Sequence, residues 1–302
     1  MKVLITTSSF GEVNDKPLQI LKGAGFEVIK NTYKRKITQN ELVLLLKGIQ
    51  GVIAGLEYYD NNILSKSELK IISRCGSGIT NIDLDAAKKL GIAVYNTPDG
   101  PTQSVAELTV GCLLSLIREV PCVNSLMHAG KWEKRTGHLL KGMNVLLIGY
   151  GKIGKTVAKI LNVIGAKIIV CDPFVPIEDI PEYFTKVDLL RGVKKADLIV
   201  LHSSGEDLIL GEKEFALMKP GVYILNAARG RLIDADILER SLISGKVAGA
   251  WLDTFSEEPY TGSLLKYNQV ILTPHIGSYT EEGRYEMEIE AVNNLLLGFK
   301  IS

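Results

Sequence analysis

The sequence contains no long hydrophobic run and carries almost no net charge. Apolar stretches such as residues 108–117 are interrupted and too short to cross a bilayer, so we expect no membrane segment. The N-terminal stretch Met1–Thr7 has too short an apolar run for a signal peptide, and it predicts a first β-strand instead. A formal net charge of +1, without any run of five like charges, gives no reason to expect binding to nucleic acid or to a membrane surface.

Cysteine is scarce, and neither cysteine nor histidine is spaced for metal binding. Cys75, Cys112, Cys122 and Cys171 include no C-x-x-C pair, so we expect reduced thiols in a cytoplasmic protein rather than a disulfide framework. The four histidines show no zinc-type spacing with cysteines or acids, and we therefore expect no metal site. The remaining composition, 46% hydrophobic and 23% charged, is ordinary for a globular chain of one large or two medium domains.

The most informative stretch is an apolar strand followed by a glycine-rich turn and a helix. Val145–Ile148 is continuously apolar, and Gly149, Gly151 and Gly154 follow it with G-x-G-x-x-G spacing. Residues 155–164 then carry apolar side chains at helical spacing. In a dinucleotide site these glycines permit the tight turn, the approach of backbone N–H groups to a pyrophosphate and close helix packing. The positive end of the helix dipole favours the bound anion, so the stretch predicts a dinucleotide-binding unit.

A carboxylate at the end of the next strand indicates which dinucleotide is bound. Residues 167–171 form a second apolar strand, and Asp172 follows it about 20 residues after the glycines. An acid at this place accepts hydrogen bonds from the ribose hydroxyls and repels a 2′-phosphate, and no Arg occurs in residues 173–178. A solvated Asp at a strand end is the alternative interpretation. Beside the full glycine motif, we interpret the site as one for NAD rather than NADP.

Strands and helices alternate along nearly the whole chain, which predicts an α/β fold with doubly wound parallel sheets. The first alternating stretch covers residues 1–98. Residues 97–104 contain two prolines and a glycine and mark a crossover. A long helix is expected over residues 104–126, kinked or ended at Pro121. The alternation resumes after the NAD motif and ends in a closing helix over residues 280–298.

Four polar residues follow apolar strands in the second half of the chain: Arg229, Asp253, Glu258 and His275. The carboxyl ends of parallel strands face one cleft, so we expect these side chains to converge. An Arg can bind a substrate carboxylate with two parallel hydrogen bonds. A His can exchange the hydroxyl proton of an alcohol or ketone, and a carboxylate can hold its other ring nitrogen. The set therefore suits hydride exchange at a carboxylic acid that carries a hydroxyl or keto group.

Each of these residues also has a simpler interpretation. Arg229 could be a surface residue in a glycine-flanked turn, Glu258 could be solvated, and His275 could be a buried histidine with satisfied hydrogen bonds. The glycine-rich stretch Cys75–Gly78 could likewise be an ordinary turn, although it lies at a strand's carboxyl end. The functional interpretation depends on their occurrence together with the glycine motif.

Several segments, in a fixed order and covering most of the chain, are similar to one known family. They are Arg74-Cys-Gly-Ser-Gly-Ile-Thr-Asn-Ile-Asp83, Asn96-Thr-Pro-Asp-Gly100, the stretch Val145–Gly154, Asn226-Ala-Ala-Arg-Gly-Arg-Leu-Ile-Asp234, Leu252-Asp-Thr-Phe-Ser-Glu-Glu-Pro259 and Thr273-Pro-His-Ile-Gly277. The chain resembles the D-isomer-specific 2-hydroxyacid dehydrogenases, and most closely the D-3-phosphoglycerate dehydrogenase branch. The regulatory C-terminal domain of some members of that branch is not expected here.

The resemblance implies a Rossmann NAD-binding lobe inserted into a flavodoxin-like substrate lobe. The substrate-binding domain would comprise residues 1–98 plus 276–302, and the NAD-binding domain residues 99–275. It also implies a homodimer, with the helix expected over residues 104–126 in the interface.

The resemblance assigns the site residues as well. The catalytic residues would be Arg229, Glu258 and His275, and the substrate would contact Ser77, Gly78 and Arg229. The residues that would contact NAD are Ser77, Gly149, Gly151, Lys152, Ile153, Gly154, Asp172, His202, Ser203, Ala227, Ala228, Arg229, Asp253, His275, Gly277 and Ser278.

The first candidate substrate is 3-phosphoglycerate or 3-phosphohydroxypyruvate, at the start of serine synthesis. Glyoxylate, hydroxypyruvate or another small 2-keto acid is the alternative, since no Arg or Lys occurs between Gly51 and Ile63, where many phosphoglycerate-type members carry a base. The loop after His202 is shorter than in most members of this family, and it lacks the proline that they usually carry there. A dehydrogenase for a small inorganic or one-carbon anion, or a non-catalytic NAD-sensing protein, would share the motifs.

Overall fold

The computed structural model describes residues 1–301 and divides the chain into two compact units. The first unit comprises Met1–Ser104 together with the chain from Ser278 onward, and the second comprises Val105–Gly277. The chain therefore first passes from one unit to the other after Ser104, beyond the boundary predicted at residue 98, because residues 99–104 pack within the first unit. Gly100 lies directly against Met287, and the Ser104 hydroxyl is 2.7 Å from the Thr280 hydroxyl.

Twelve strands and eleven α-helices make up the two units within residues 1–301. The strands are β1 (Lys2–Ile5), β2 (Glu27–Lys30), β3 (Gly51–Ala54), β4 (Ile71–Arg74), β5 (Ala93–Asn96), β6 (Asn144–Ile148), β7 (Lys167–Cys171), β8 (Thr185–Lys186), β9 (Leu198–Leu201), β10 (Val222–Asn226), β11 (Val247–Leu252) and β12 (Val270–Leu272). The helices are α1 (Lys16–Gly23), α2 (Gln39–Leu45), α3 (Asn61–Ser65), α4 (Leu84–Lys89), α5 (Pro101–Ile117), α6 (Val120–His128), α7 (Lys152–Val163), α8 (Leu189–Lys195), α9 (Glu212–Leu217), α10 (Ala235–Ile243) and α11 (Glu281–Phe299).

The first unit is built on a parallel five-stranded sheet in the order β2-β1-β3-β4-β5. This is the flavodoxin-like order expected from the sequence. Strands β3 and β4 are buried on both faces, as the central strands of a doubly wound sheet must be. Helix α11 packs against the sheet, and the Ser73 hydroxyl of β4 donates a 2.8 Å hydrogen bond to the Ala291 carbonyl of that helix.

The second unit is built on a parallel seven-stranded sheet in the order β12-β11-β10-β9-β6-β7-β8. The order reverses between β6 and β9, so the carboxyl end of β6 lies at the switch point where such sheets bind dinucleotides. Large apolar side chains fill both faces of this sheet, with Trp251 of β11 completely buried. The predicted fold class, two doubly wound parallel-sheet units with a Rossmann arrangement in one of them, is confirmed.

Acidic and hydroxyl side chains fix the start of many helices. Asp83 accepts a hydrogen bond from the Ala86 amide at the start of α4, and Asp234 accepts from the Ile237 amide at the start of α10. Thr280 accepts from the Gly283 amide at the start of α11. These caps follow strand ends and loops, so each helix begins close to the carboxyl edge of its sheet.

The helix expected over residues 104–126, with a kink or an end at Pro121, is two helices in the structure. Helix α5 begins at Pro101 and ends at Ile117, and α6 begins at Val120. The break precedes Pro121, which sits in the first turn of α6, where its missing N–H costs no hydrogen bond. The chain turns at Glu119, which has a left-handed φ of 53°. Within residues 1–301, no helix has the length and apolar character needed to cross a membrane.

Candidate active site

The glycine turn after β6 has the shape required for a pyrophosphate cradle. Gly149 has a φ of +94°, and a Cβ placed on Gly154 would lie 2.3 Å from the Gly149 carbonyl oxygen, so neither position tolerates a side chain. Gly151 is different: it is exposed, it caps the N-terminus of α7, and a Cβ there would meet no other heavy atom of residues 1–301 within 4 Å. The open space at the positive end of α7 fits a bound pyrophosphate.

Asp172 lies beside this turn at the carboxyl end of β7. Its Oδ2 accepts a 2.8 Å hydrogen bond from the Tyr150 amide, and its Oδ1 accepts a 2.9 Å bond from the Phe174 amide. Each carboxylate oxygen has two lone pairs, so acceptor capacity remains for ribose hydroxyls. The half-buried carboxylate is therefore held in a fixed orientation next to the glycines.

His202 follows β9 and packs beneath the glycine turn. A Cβ on Gly149 would lie 2.6 Å from the His202 carbonyl carbon and the Ser203 amide nitrogen. Both ring nitrogens of His202 are buried without a hydrogen-bond partner among the described residues. Burial lowers the pKa of His202 to about 4, so the imidazole is neutral at neutral pH. The following residues 204–208 are exposed.

Arg229 lies in a turn built from the end of β10. The Asn226 side chain bridges this turn, accepting from the Ala228 amide at 3.0 Å and donating to the Arg229 carbonyl at 2.8 Å. The guanidinium is half-buried, and its Nη1 donates to the Ala228 carbonyl at 2.7 Å. The next residue, Gly230, lies so close to residues 255–256 that a Cβ would be 2.0 Å from the Phe255 carbonyl carbon. The turn after β10 is thereby locked to the turn after β11.

His275 and Glu258 form the pair expected from the sequence. His275 Nδ1 lies 3.1 Å from Glu258 Oε2 and 3.2 Å from Oε1, and about one third of each side chain is exposed. Glu258 is oriented further by the Phe255 amide, which donates to Oε1 at 3.1 Å. With Nδ1 facing Glu258, Nε2 is the ring atom left to exchange a proton with another molecule.

Asp253 is almost completely buried, with 1% of its surface exposed, and it accepts several hydrogen bonds from the protein. Oδ1 accepts from the Thr273 hydroxyl at 2.6 Å and from the Ile276 amide at 2.9 Å, and Oδ2 accepts from the Gly277 amide at 2.8 Å. The Thr273 oxygen in turn accepts from the Trp251 indole N–H at 2.9 Å. Sequence reasoning did not single out Thr273 or Trp251, because a hydroxyl and an indole that meet across two strands leave no spacing signal.

In the first unit, Ser77 and Gly78 lie in the turn after β4. Gly76 has a φ of +140° and donates to the Thr97 hydroxyl at 2.6 Å, and the Asn96 side chain donates to the Ser77 carbonyl at 2.7 Å. Ser77 is exposed at this edge of the sheet. These hydrogen bonds hold the turn in a fixed conformation, while Ser77 remains accessible to a ligand.

A buried carboxylate lies at the same edge of the first unit, after β3. Glu57 is 2% exposed, and its Oε2 accepts from the Thr6 hydroxyl at 2.7 Å and from the Gly55 amide at 3.2 Å. Asn81 links this loop to the turn after β4 by donating to the carbonyls of Gly55 at 3.1 Å and Glu57 at 2.6 Å. The loops that follow β3 and β4 thus form one hydrogen-bonded cluster.

The arrangement in the second unit is typical of a dinucleotide-dependent oxidoreductase. Residues 110–277, more than half of the chain, match the family described as D-isomer specific 2-hydroxyacid dehydrogenase, NAD binding domain. The chain belongs to the D-isomer specific 2-hydroxyacid dehydrogenase family, and NAD is the cofactor of its second unit.

Relatives that are named for different activities are similar to this chain. The chain is 41% identical over 236 residues to a hydroxypyruvate reductase of Thermotoga maritima, covering 75% of this chain and 76% of the relative. It is 34% identical over 275 residues to the D-3-phosphoglycerate dehydrogenase of Sus scrofa, covering 88% of this chain but only 51% of that protein. The chain thus spans about half the length of the phosphoglycerate dehydrogenase.

A solved structure with a bound cofactor has the same fold. The D-lactate dehydrogenase of Aquifex aeolicus, complexed with NAD and lactic acid, is 26% identical and superposes with a TM-score of 0.86. The match covers 99% of this chain and 96% of that one. The family membership and the cofactor agree with the sequence-based expectation.

Proposed function

We propose that this protein is an NAD-dependent dehydrogenase that interconverts a small, unphosphorylated D-2-hydroxy acid and its 2-keto acid, with hydroxypyruvate or glyoxylate as the keto acid. The observation that carries the choice of substrate is the buried Glu57 carboxylate at the carboxyl edge of the first unit's sheet. Ligands of open α/β sheets bind outside this edge. A phosphate dianion there would meet a fixed negative charge, and residues 51–63 contain no Lys or Arg.

Phosphohydroxypyruvate is the second candidate substrate, and the position of the positively charged Lys36 favours it. Lys36 lies in the loop after β2, with its Nζ 5.1 Å from the centre of the Tyr58 ring. The neighbouring Arg35 makes a bidentate pair with Glu41 at 2.7 and 2.9 Å, so its guanidinium is committed elsewhere. Lys36 is therefore the side chain of this loop best suited to meet a distal phosphate.

His275 moves the proton in this proposal. NAD, when bound, supplies the hydride acceptor or donor at its nicotinamide ring. In reduction, His275 Nε2 gives a proton to the carbonyl oxygen of the keto acid, and in oxidation it takes the hydroxyl proton. Glu258 holds Nδ1 at 3.1 Å, which fixes the orientation of the ring and leaves Nε2 for the proton transfer.

Arg229 recognises the substrate carboxylate in this proposal. Its Nη1 is bonded to the Ala228 carbonyl, which orients the planar guanidinium and leaves further N–H groups for an acid. Arg229→Gln should raise KM for the keto acid and lower kcat, whereas Arg231→Gln, an exposed Arg in the same turn, should change neither. Unchanged kcat/KM in Arg229→Gln would remove it from the site.

The other proposed ligands follow from their positions in each unit. Ser77 and Gly78 are proposed to bind substrate in the first unit, where Ser77 is exposed beside the Glu57 loop. The proposed NAD ligands of the second unit are Gly149, Gly151, Lys152, Ile153, Gly154, Asp172, His202, Ser203, Ala227, Ala228, Arg229, Asp253, His275 and Gly277. Ser77 and Ser278 of the first unit complete the proposed cofactor set.

The substrate proposal is tested by comparing kcat/KM for hydroxypyruvate and phosphohydroxypyruvate in the wild type, Glu57→Gln and Lys36→Met. We expect the wild type to prefer hydroxypyruvate, and Glu57→Gln to narrow that preference by about tenfold because the repulsive charge is removed. Lys36→Met should leave hydroxypyruvate reduction unchanged. A wild-type preference for phosphohydroxypyruvate that is lost in Lys36→Met would establish the second candidate and overturn the first.

We further propose that the protein is a homodimer. Two large apolar side chains in the segment between α6 and β6 are exposed, Trp132 at 80% and Leu139 at 74%. Exposed apolar patches are typical of interfaces. Light scattering should give twice the chain mass of 33.1 kDa, and a mass of one chain at micromolar concentration would contradict the dimer.

A further inference from the structure

We propose that Trp251 and Thr273 are positioning residues, which hold Asp253 and through it the turn that carries His275. This inference rests on the proposed role of His275 as the proton-transfer residue. All of the residues concerned lie in the second unit, on β11 and in the turns that follow β11 and β12.

The direction of the hydrogen bonds along this relay is fixed by chemistry. The indole Nε1–H of Trp251 can only donate, so at 2.9 Å the Thr273 oxygen is its acceptor. The Thr273 hydroxyl has a single proton, and at 2.6 Å that proton is donated to Asp253 Oδ1. Trp251 is fully buried, so water does not compete for its N–H. The Thr273 hydroxyl is thereby held as a donor to Asp253 rather than free to rotate.

Asp253 in turn fixes the backbone on the C-terminal side of His275. It accepts from the Ile276 amide at 2.9 Å and from the Gly277 amide at 2.8 Å, and the His275 amide bonds to the Thr273 carbonyl at 2.9 Å. The turn needs this support, because His275 has a left-handed φ of 55°, a conformation that costs a side-chain-bearing residue free energy. Close packing adds to it, since a Cβ on Gly277 would lie 3.0 Å from Asp253 Oδ2.

The consequence for catalysis is geometric. Proton transfer from an imidazole needs the ring within hydrogen-bond reach of the reacting oxygen, and a displacement of about 1 Å can cost about 10²-fold in rate. If Thr273 no longer donates to Asp253, the Asp253 carboxylate loses its strongest partner and the turn is free to relax. His275 would then leave its position 3.1 Å from Glu258, while the glycine turn and Asp172, on other strands, would remain in place.

The test compares Thr273→Val, which removes the hydroxyl at nearly constant volume, with Thr273→Ser, which keeps it. We expect Thr273→Val to lower kcat by about 10²-fold, with KM for the keto acid within about threefold of wild type. Thr273→Ser should recover kcat to within about threefold. The primary isotope effect with 4-deuterated NADH should increase in Thr273→Val, because a slowed chemical step limits turnover; a smaller fraction of folded enzyme would leave it unchanged.

Trp251→Phe tests the donor end of the relay. It should lower kcat by about three- to tenfold, in the same direction as Thr273→Val. Normal kcat in Thr273→Val would overturn the relay, as would parallel losses of kcat and NADH binding that Thr273→Ser does not restore.

His275→Ala separates this inference from the proposed function. An inactive His275→Ala beside a fully active Thr273→Val would reject the relay alone. A fully active His275→Ala would reject the role of His275 itself.

Discussion

At the scale of single residues, the imidazole of His275 is the group on which the proposed chemistry depends. His275→Ala should abolish turnover, because no other group then exchanges the proton at the reacting oxygen. NADH affinity, measured by fluorescence titration, should stay within a few fold of wild type, since the glycine turn and Asp172 lie on other strands. Glu258→Gln should retain part of the activity, because its amide can still meet Nδ1 without the charge. Full activity in His275→Ala would contradict the assignment.

His202 gives a residue-scale prediction about stability. Its pKa is lowered to about 4 in the folded protein by burial, against about 6.5 in an unfolded chain. As the pH falls, the unfolded state takes up this proton first, so the stabilising effect is complete above about pH 6.5 and is lost progressively toward pH 4. The expected loss is about 2 to 3 kcal/mol at about pH 4.5.

Urea unfolding of the cofactor-free protein at pH 7 and at about pH 4.5 measures this loss. His202→Asn should reduce the difference between the two pH values, since Asn does not titrate. His128→Asn, at an exposed histidine, is the matched control and should leave the difference as in wild type. An equal pH dependence in His202→Asn and wild type would show that the imidazole is not held neutral by burial.

Some residues of the candidate site could be predicted from the sequence, and others could not. Glu258 and His275 were predicted as a pair, and the structure places them 3.1 Å apart. Each residue follows the carboxyl end of a strand by only a few positions, Glu258 after β11 and His275 after β12, and this limits where each can lie. Trp251 and Thr273 were not predicted, because their hydrogen bond depends on β11 and β12 being adjacent and in one register. A buried Trp looks like any other core residue in the sequence.

At the scale of elements, substitutions at two glycines of the turn between β6 and α7 should distinguish an effect on stability from an effect on cofactor binding. Gly154→Ala places a Cβ 2.3 Å from the Gly149 carbonyl oxygen, so it should lower the melting temperature and weaken NADH binding together. In Gly151→Ala the added Cβ meets no atom of a sequence-distant residue within the described range 1–301 at 4 Å or less, and the φ of −72° suits Ala. It should therefore keep the wild-type melting temperature while raising the NADH dissociation constant by about tenfold.

Differential scanning fluorimetry and NADH titration of the two variants make this comparison. Equal NADH affinity in Gly151→Ala and wild type would mean that the cofactor does not pass over Gly151. Equal stability of Gly154→Ala and wild type would mean that the turn can open to admit the methyl group.

Elements also differ in how far the sequence determines them. Apolar runs bounded by glycine, proline and capping acids predicted the strands and the parallel sheets, since each run must be buried on both faces. The break between α5 and α6 lies at Glu119 rather than at Pro121, and Glu has no strong preference for the left-handed conformation found there, so the local sequence does not predict this turn.

At the scale of the whole molecule, the two compact units carry different sets of the proposed site residues. The second unit carries the NAD motif and the Arg229, Glu258 and His275 set, and the first carries Ser77 and the Glu57 loop. The sequence placed the first unit boundary at a proline-rich segment, after residue 98, and the structure places it after Ser104, because the start of α5 packs on α11. Contacts between segments so distant in sequence are not readable from local composition.

The most direct test of the account is the stereochemistry of the oxidised acid. Initial rates of NADH formation from NAD should be measured at 340 nm with D-glycerate and with L-glycerate. The account predicts clear turnover of the D isomer and about 10²-fold or more lower kcat/KM for the L isomer, with NADP much poorer than NAD because Asp172 repels its 2′-phosphate. Turnover of the L isomer at an equal or higher rate, or no reaction with either isomer and none with hydroxypyruvate or glyoxylate in reverse, would contradict it.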